Sequence, residues 1–206
     1  MDLLWNGPKS ATSVLILAHG AGADMNHEFM EYFADALSSD TLAVARFNFR
    51  YIDAGRRSPD KQPVLESTYR DVVEQIVDER SPQRLFIGGK SMGGRIGSHI
   101  VASGTQANGL VYLGYPLHPP GRPERIRDAH LGDIEVPQLF VEGTRDPFCP
   151  LETLAEVIGK RRLKADVVVI DDGDHSLKVR KASGRSTKEA WDEAIAAIAA
   201  WIESIS

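Results

Sequence analysis

Six short apolar runs punctuate the chain, and none of them alternates between apolar and polar residues. They fall at 14–18 (V-L-I-L-A), 41–47 (T-L-A-V-A-R-F), 85–87, 110–113, 138–141 and 167–170. A strand with one wet face alternates, so runs that are apolar throughout call for a sheet covered on both faces. The segments between them have helical spacing. Phe29, Phe33 and Leu37 recur at i, i+4 and i+8, and Tyr69, Val72, Val73, Ile76 and Val77 make a wide stripe. Leu151, Leu154, Val157 and Ile158 make another, with Pro150 as its expected first helical residue. Trp191, Ile195, Ile198 and Ile202 line a final helix, announced by a capping box of Ser186 and Glu189. Strand and helix alternating to the end predict an α/β fold. Its central sheet is mainly parallel, of about six to seven strands, with helices on both faces.

The 206 residues show no repeat, low-complexity tract or linker, so one domain over 1–206 is expected. The irregular stretches 50–64 and 115–124 are rich in Pro, Gly and Arg, and loops of that length tend to be functional. Lys and Arg number 24 against 29 Asp and Glu, a net charge of −5 that gives no footprint for a nucleic-acid partner. The basic run 178–185 sits among Gly and Ser and reads as a solvated loop. The one cysteine, Cys149, has no partner for an internal disulfide. The start M-D-L-L-W-N-G-P-K-S lacks the apolar core of a leader, and no run is long enough to span a bilayer. A cytoplasmic protein with no membrane association is expected.

Residues 89–93 read G-K-S-M-G. The apolar run L-F-I precedes them, and Met92, Ile96 and Ile100 follow at helical spacing. Strand, tight turn and helix around G-x-S-x-G is the setting of a nucleophile elbow, in which small neighbours leave room for a strained serine. Gly89, Gly93 and Gly94 supply that room and Ser91 is the candidate nucleophile. A serine hydroxyl needs a base. Of six histidines, His175 (D-D-G-D-H-S) follows the last apolar run and is expected at the carboxyl end of the sheet beside Ser91. His19 opens a glycine turn and more naturally shapes it. His27 and His99 fall on helical segments, and His118 and His130 lie in or beside an irregular stretch within reach of a substrate. Asp146, past the run ending V-E-G, is the carboxylate best placed to orient His175. Asp171, Asp172 and Asp174 are competitors, too near the histidine in sequence to reach round its ring easily. The turn H-G-A-G after residues 14–18 offers backbone donors, so the amides of Ala21 and Met92 are the expected oxyanion hole. A dinucleotide fingerprint is absent, and G-K-S does not complete a P-loop, because Arg84 stands where its first glycine belongs.

Taken together, L-A-H-G-A-G-A-D, G-G-K-S-M-G-G-R, E-G-T-R-D-P-F and D-G-D-H-S resemble the α/β-hydrolase superfamily over nearly the whole chain. Within it they look like compact bacterial hydrolases related to dienelactone hydrolases. The resemblance implies the α/β-hydrolase fold and the triad Ser91, Asp146 and His175. It departs at the nucleophile, which is cysteine in dienelactone hydrolases proper, and this points to general ester cleavage. The stretch between 113 and 138 is too short for a helical lid, so no large lid is expected. The resulting expectation is a serine hydrolase acting on small to medium soluble carboxylic esters without metal or organic cofactor. Arg50 and Tyr51, with Arg56 and Arg57 on the same loop, and His118 are candidate substrate contacts. Two other readings use the same residues: a non-catalytic interaction module on this fold, and an acyltransferase or perhydrolase with the same triad.

Overall fold

The computed structural model describes residues 1–205. In chain order it runs β1 (Leu3–Asn6), β2 (Ser13–Ala18), α1 (Glu28–Leu37), β3 (Leu42–Phe47), α2 (Arg50–Asp53) and α3 (Gln62–Arg80). It continues through β4 (Arg84–Lys90), α4 (Met92–Ala102), β5 (Gly109–Leu113), β6 (Gln138–Gly143), α5 (Leu151–Arg161), β7 (Ala165–Ile170) and α6 (Thr187–Ser204). The seven strands form one sheet in the order β1-β3-β2-β4-β5-β6-β7. Every neighbouring pair is parallel except β1 with β3.

Successive strand residues point to opposite faces, and both faces are covered by apolar packing except at the edge strand β7, where Val167 and Val169 turn to solvent at 39% and 41% exposure although their run shows no alternation. Val14, Ile16 and Ala18 of β2 belong to one apolar cluster with Tyr69 and Val72 of α3, Ile96 and Ile100 of α4, and Leu154 and Val157 of α5. Leu15 and Leu17 point the other way, onto Phe29 and Phe33 of α1 and Trp191, Ile195 and Ile198 of α6. The capping box at α6 is formed: the Ser186 side chain accepts from Glu189 N–H, and the Glu189 carboxylate accepts from Ser186 N–H.

The structure adds to the expected elements in a few places. β1 is a four-residue edge strand, half-buried throughout and too short for its pattern to stand out. The stretch expected to be irregular over 50–64 holds α2 and the first turn of α3. Pro150 is the cap of α5 rather than its first residue, and Val77 turns to solvent at 44% exposure. Between β5 and β6 only a 3₁₀ turn, Ala129–Asp133, is regular, so no large lid covers the sheet's carboxyl end. Among the described residues no helix is long and apolar enough to cross a membrane.

Candidate active site

β4 enters a tight turn at the centre of the sheet and leaves it as α4. Ser91 sits at the bend with φ 50° and ψ −111°, a conformation that costs a non-glycine residue strain. The turn closes because its neighbours lack side chains. A Cβ on Gly89 would stand 2.5 Å from the Ala18 carbonyl oxygen, and one on Gly93 only 2.3 Å from the same atom. Gly94 would meet the Gly89 oxygen at 2.7 Å. Tyr69 braces the strand behind the turn, its hydroxyl donating to the Gly88 carbonyl at 2.6 Å.

Loops at the carboxyl ends of β6 and β7 bring two further groups to this point. His175 Nε2 lies 2.8 Å from Ser91 Oγ, and His175 Nδ1 lies 2.7 Å from Asp146 Oδ2. The carboxylate can only accept at Nδ1, so that nitrogen carries the proton and Nε2 presents its lone pair to the serine hydroxyl. The other carboxylate oxygen accepts from the Phe148 N–H at 2.8 Å, and Asp146 is 4% exposed. The Phe148 ring meets His175 edge-on with centroids 4.7 Å apart. The competing aspartates are engaged elsewhere. Asp172 pairs with Arg145 and Arg180, Asp174 accepts from the Ser176 and Lys178 amides, and Asp171 is exposed.

The H-G-A-G turn lies directly against the serine. His19 is fully buried. Its ring spans the Gly20 carbonyl, 2.8 Å from Nδ1, and the Phe49 N–H, 3.2 Å from Nε2. Burial pulls its pKa down, which keeps the ring neutral in this bridging tautomer. Met92 is the first residue of α4, so its N–H has no acceptor within the helix. Ala21 and Met92 both line the cleft that opens on Ser91.

Two buried groups escaped the sequence reading. Lys90 is 8% exposed, and its Nζ donates to the His175 carbonyl oxygen, tying the histidine loop to the elbow. Burial draws its pKa down to about 8, against the opposing pull of Asp146, Glu142 and Asp174. Glu142, at the end of β6, is fully buried beside Cys149 and accepts from the Tyr115 N–H at 2.7 Å. Burial, reinforced by nearby Asp146, raises its pKa well above the carboxylate range.

Two clefts flank Ser91, and Ala21 and His175 belong to both. The smaller, of 250 Å³, is walled by Gly22, His27, Phe29, Lys90 and Lys178. The larger, of 420 Å³, is walled by Leu65, Arg95, Pro116, His118, Arg127 and Phe148. His118 is therefore where a substrate contact was expected. The other two candidates are not. Arg50 lines neither cleft, because its guanidinium is drawn to Asp71 on α3 at 2.5 Å. Tyr51 is wholly buried behind the site, edge-on to His19 at 6.0 Å between centroids. His130 packs instead against Ser98 and His99.

An open, mostly parallel sheet with a glycine-walled serine at the turn after its central strand defines the α/β-hydrolase class. A family profile described as "Alpha/beta hydrolase domain" matches residues 11–203, and the chain belongs to that family. Its fold is similar to that of an α/β serine hydrolase without a lid from Xanthomonas campestris. That pair has a TM-score of 0.76 at 19% identity, over 97% of this chain and 88% of the other. It is also similar to a dienelactone hydrolase from Anabaena variabilis (TM-score 0.70, 16% identity, 91% and 86% covered). A third similar structure is the esterase domain of a Rhodothermus marinus protein (TM-score 0.71, 14% identity, 96% and 90% covered).

Proposed function

We propose that the protein is a serine hydrolase that cleaves small to medium soluble carboxylic esters through an acyl-enzyme on Ser91. The observation that carries this reading is the unbroken hydrogen-bonded chain from Ser91 Oγ through His175 to Asp146, with legs of 2.8 and 2.7 Å. It starts from a serine held in a strained turn. His175 Nε2 takes the serine proton as Oγ attacks the ester carbonyl, and the imidazolium is stabilised by the buried Asp146 carboxylate. The Ala21 and Met92 N–H groups hold the oxyanion, each contributing about 3 kcal/mol to the barrier reduction. His175 returns the proton to the leaving alcohol, and water repeats the sequence on the acyl-enzyme. None of these steps requires a metal or organic cofactor. The open clefts favour small soluble substrates over lipid aggregates, for which an apolar lid is the usual docking device. Relatives of the same fold named as hydrolases and esterases support the reaction class.

The test is labelling with a fluorophosphonate, together with a p-nitrophenyl ester series of increasing acyl length. Wild type is expected to label and to prefer short chains, and Ser91→Ala to do neither. Equal labelling of the two proteins would overturn the proposal. Labelling of Ser91 without ester turnover would move the reading to acyl transfer onto another acceptor.

A further inference from the structure

The 420 Å³ cleft is electrostatically incomplete. Arg95 projects from α4 one turn beyond Ser91, the Arg95 N–H donating to the Ser91 carbonyl at 3.1 Å. Arg127 comes from the loop before β6, fixed by its own N–H on the Leu117 carbonyl at 2.7 Å. Both line the cleft together with Ser91 and His175, and both are half-buried. Among the described residues neither guanidinium has a carboxylate within ion-pair distance. Arg95 reaches only neutral groups, Gln62 Oε1 at 3.2 Å and His99 Nε2 at 3.3 Å. The Arg127 guanidinium donates to no protein group among those residues. The rim carboxylate Asp60 is already taken by Arg56 at 2.7 Å.

This happens in a chain with five more acidic than basic residues, where Arg50, Arg56, Arg70, Arg161 and Arg180 have all found carboxylates. Withdrawing two cations from water into one cleft with no carboxylate in direct contact is unfavourable, and the nearby Glu66, which favours the Arg95 charge, offsets this only in part. Burial first, and Arg127 second, make the Arg95 charge harder to hold, and burial, with neighbouring Arg125 adding repulsion, does the same to Arg127. A bound anion removes both costs. Guanidinium groups match the flat, two-oxygen edge of a carboxylate or the face of a phosphate better than any other side chain. Leu65, Pro116 and Phe148 give the same cleft apolar walls suited to a short hydrocarbon spacer.

We propose that Arg95 and Arg127 form an anion subsite beside Ser91, and that the ester this protein cleaves carries a carboxylate or phosphate a short chain away from the scissile carbonyl. The proposal rests on the serine-hydrolase reading for its chemistry but not for its binding. Only recognition is added: the ester still gives one acid and one alcohol on addition of water.

Two esters of equal chain length separate charge from size: p-nitrophenyl valerate and the mono-p-nitrophenyl ester of glutaric acid. Wild type is expected to favour the glutarate half-ester at least tenfold in kcat/KM, mainly through KM. Arg95→Gln and Arg127→Gln should each cut that preference at least tenfold, and Arg127→Lys should restore part of it. Arg122→Gln, exposed and outside the cleft, serves as the control. A merely structural role would lower both esters alike and leave the ratio standing. Equal kcat/KM for the two esters in wild type, or an unchanged ratio in both glutamine variants, would overturn the subsite.

Free glutarate and inorganic phosphate, tried as competitive inhibitors, tell the two anions apart: the stronger identifies the group. Calorimetric titration of the same two anions into Ser91→Ala needs no turnover. Binding that disappears in Ser91→Ala/Arg127→Gln supports the subsite even if no ester is cleaved. Absence of binding by both anions overturns it whatever the protein hydrolyses.

Discussion

His19 Nδ1 stands 2.8 Å from the Gly20 carbonyl oxygen, and this contact sets the direction of the Ala21 N–H. The two groups share one peptide unit. In a trans peptide the C=O and N–H point in opposite directions, so a ring that holds the oxygen fixes the hydrogen on the other side, as the proposed oxyanion hole requires of Ala21, a residue lining both clefts. The Phe49 N–H on Nε2 fixes the tautomer that makes the grip possible. His19 is fully buried, so on this reading it is a positioning residue that works through the backbone.

The first prediction follows from that grip. In His19→Ala the Gly20–Ala21 peptide is free to rotate. Loss of one oxyanion donor in full costs on the order of a hundredfold to a thousandfold in kcat. A donor that is loosened rather than removed should cost about tenfold to a hundredfold, with KM little changed. Steady-state kinetics on a short-chain ester, beside a thermal melt to exclude loss of fold, reads the split. A drop confined to KM would mean that Ala21 is not a donor.

Gly93 and Gly22 make a matched pair that isolates the elbow's steric demand. A Cβ on Gly93 meets the Ala18 carbonyl oxygen at 2.3 Å and its carbon at 2.6 Å, both backbone atoms at the end of the neighbouring strand β2. Gly22 has φ +77° but nothing within 4 Å of a Cβ. Gly93→Ala should therefore lose more than about 3 kcal/mol of stability, the range of substitutions that displace a packed backbone. Gly22→Ala should lose only the roughly 1 kcal/mol of a left-handed alanine. Urea midpoints at constant m-value give both numbers, and similar losses in the two variants would contradict the geometry.

Asp146→Asn tests the tautomer argument. Asparagine turns an N–H towards His175 Nδ1 and forces the ring proton to Nε2, where it can no longer receive the proton of Ser91. The expected loss in kcat is about 10⁴-fold. Because the three groups act as a unit, Ser91→Ala/Asp146→Asn should be no slower than Ser91→Ala alone. Additive losses would show that Asp146 acts by some route other than the histidine.

Most of this was legible in the sequence because backbone demands write themselves locally. The elbow needs several small residues within a few positions, and the seven residues 88–94 supply four glycines around one serine. Runs with no polar alternation fix two covered faces, and the two apolar clusters on either side of the sheet follow. What was hidden depends on distant partners. Arg127 reaches the cleft beside Ser91 only through the turns before β6, and no local pattern marks it. Arg95 was missed as well, although a local signal was present: it lies one helical turn after Ser91. Glu142 breaks an apolar run at its last positions, which looks like a strand ending in solvent. β6 in fact continues through it to Gly143 and carries the carboxyl group into the core. Arg50 misled because a flexible cation at the start of a loop takes whichever carboxylate is nearest, and Asp71 is nearer than the site.

Acid stability supplies a last prediction, centred on His130. Its Nε2 lies 2.8 Å from Ser98 Oγ and 3.3 Å from the Tyr115 hydroxyl, and its ring stacks on His99 with centroids 3.6 Å apart. Burial is the main cause, and nearby His99 and Arg95 add repulsion, while Asp128 opposes weakly; together they push the pKa down to about 3. The native ring stays neutral between about pH 6.5 and 3, where the unfolded chain takes up the proton. The unfolded state therefore binds more protons across that window. The stabilisation is complete above pH 6.5 and is lost as pH falls through the folded value. Each pKa unit corresponds to about 1.4 kcal/mol. The ring is only partly buried, and solvent screening reduces the usable share to about 2 kcal/mol. Urea unfolding at pH 7.5 and at pH 4 should show wild type losing roughly that much more than His130→Gln, whose side chain cannot be protonated there. Equal losses in the two proteins would move the acid limb to other groups, and the packing of α4 against the Ala129–Asp133 turn would then be insensitive to this proton.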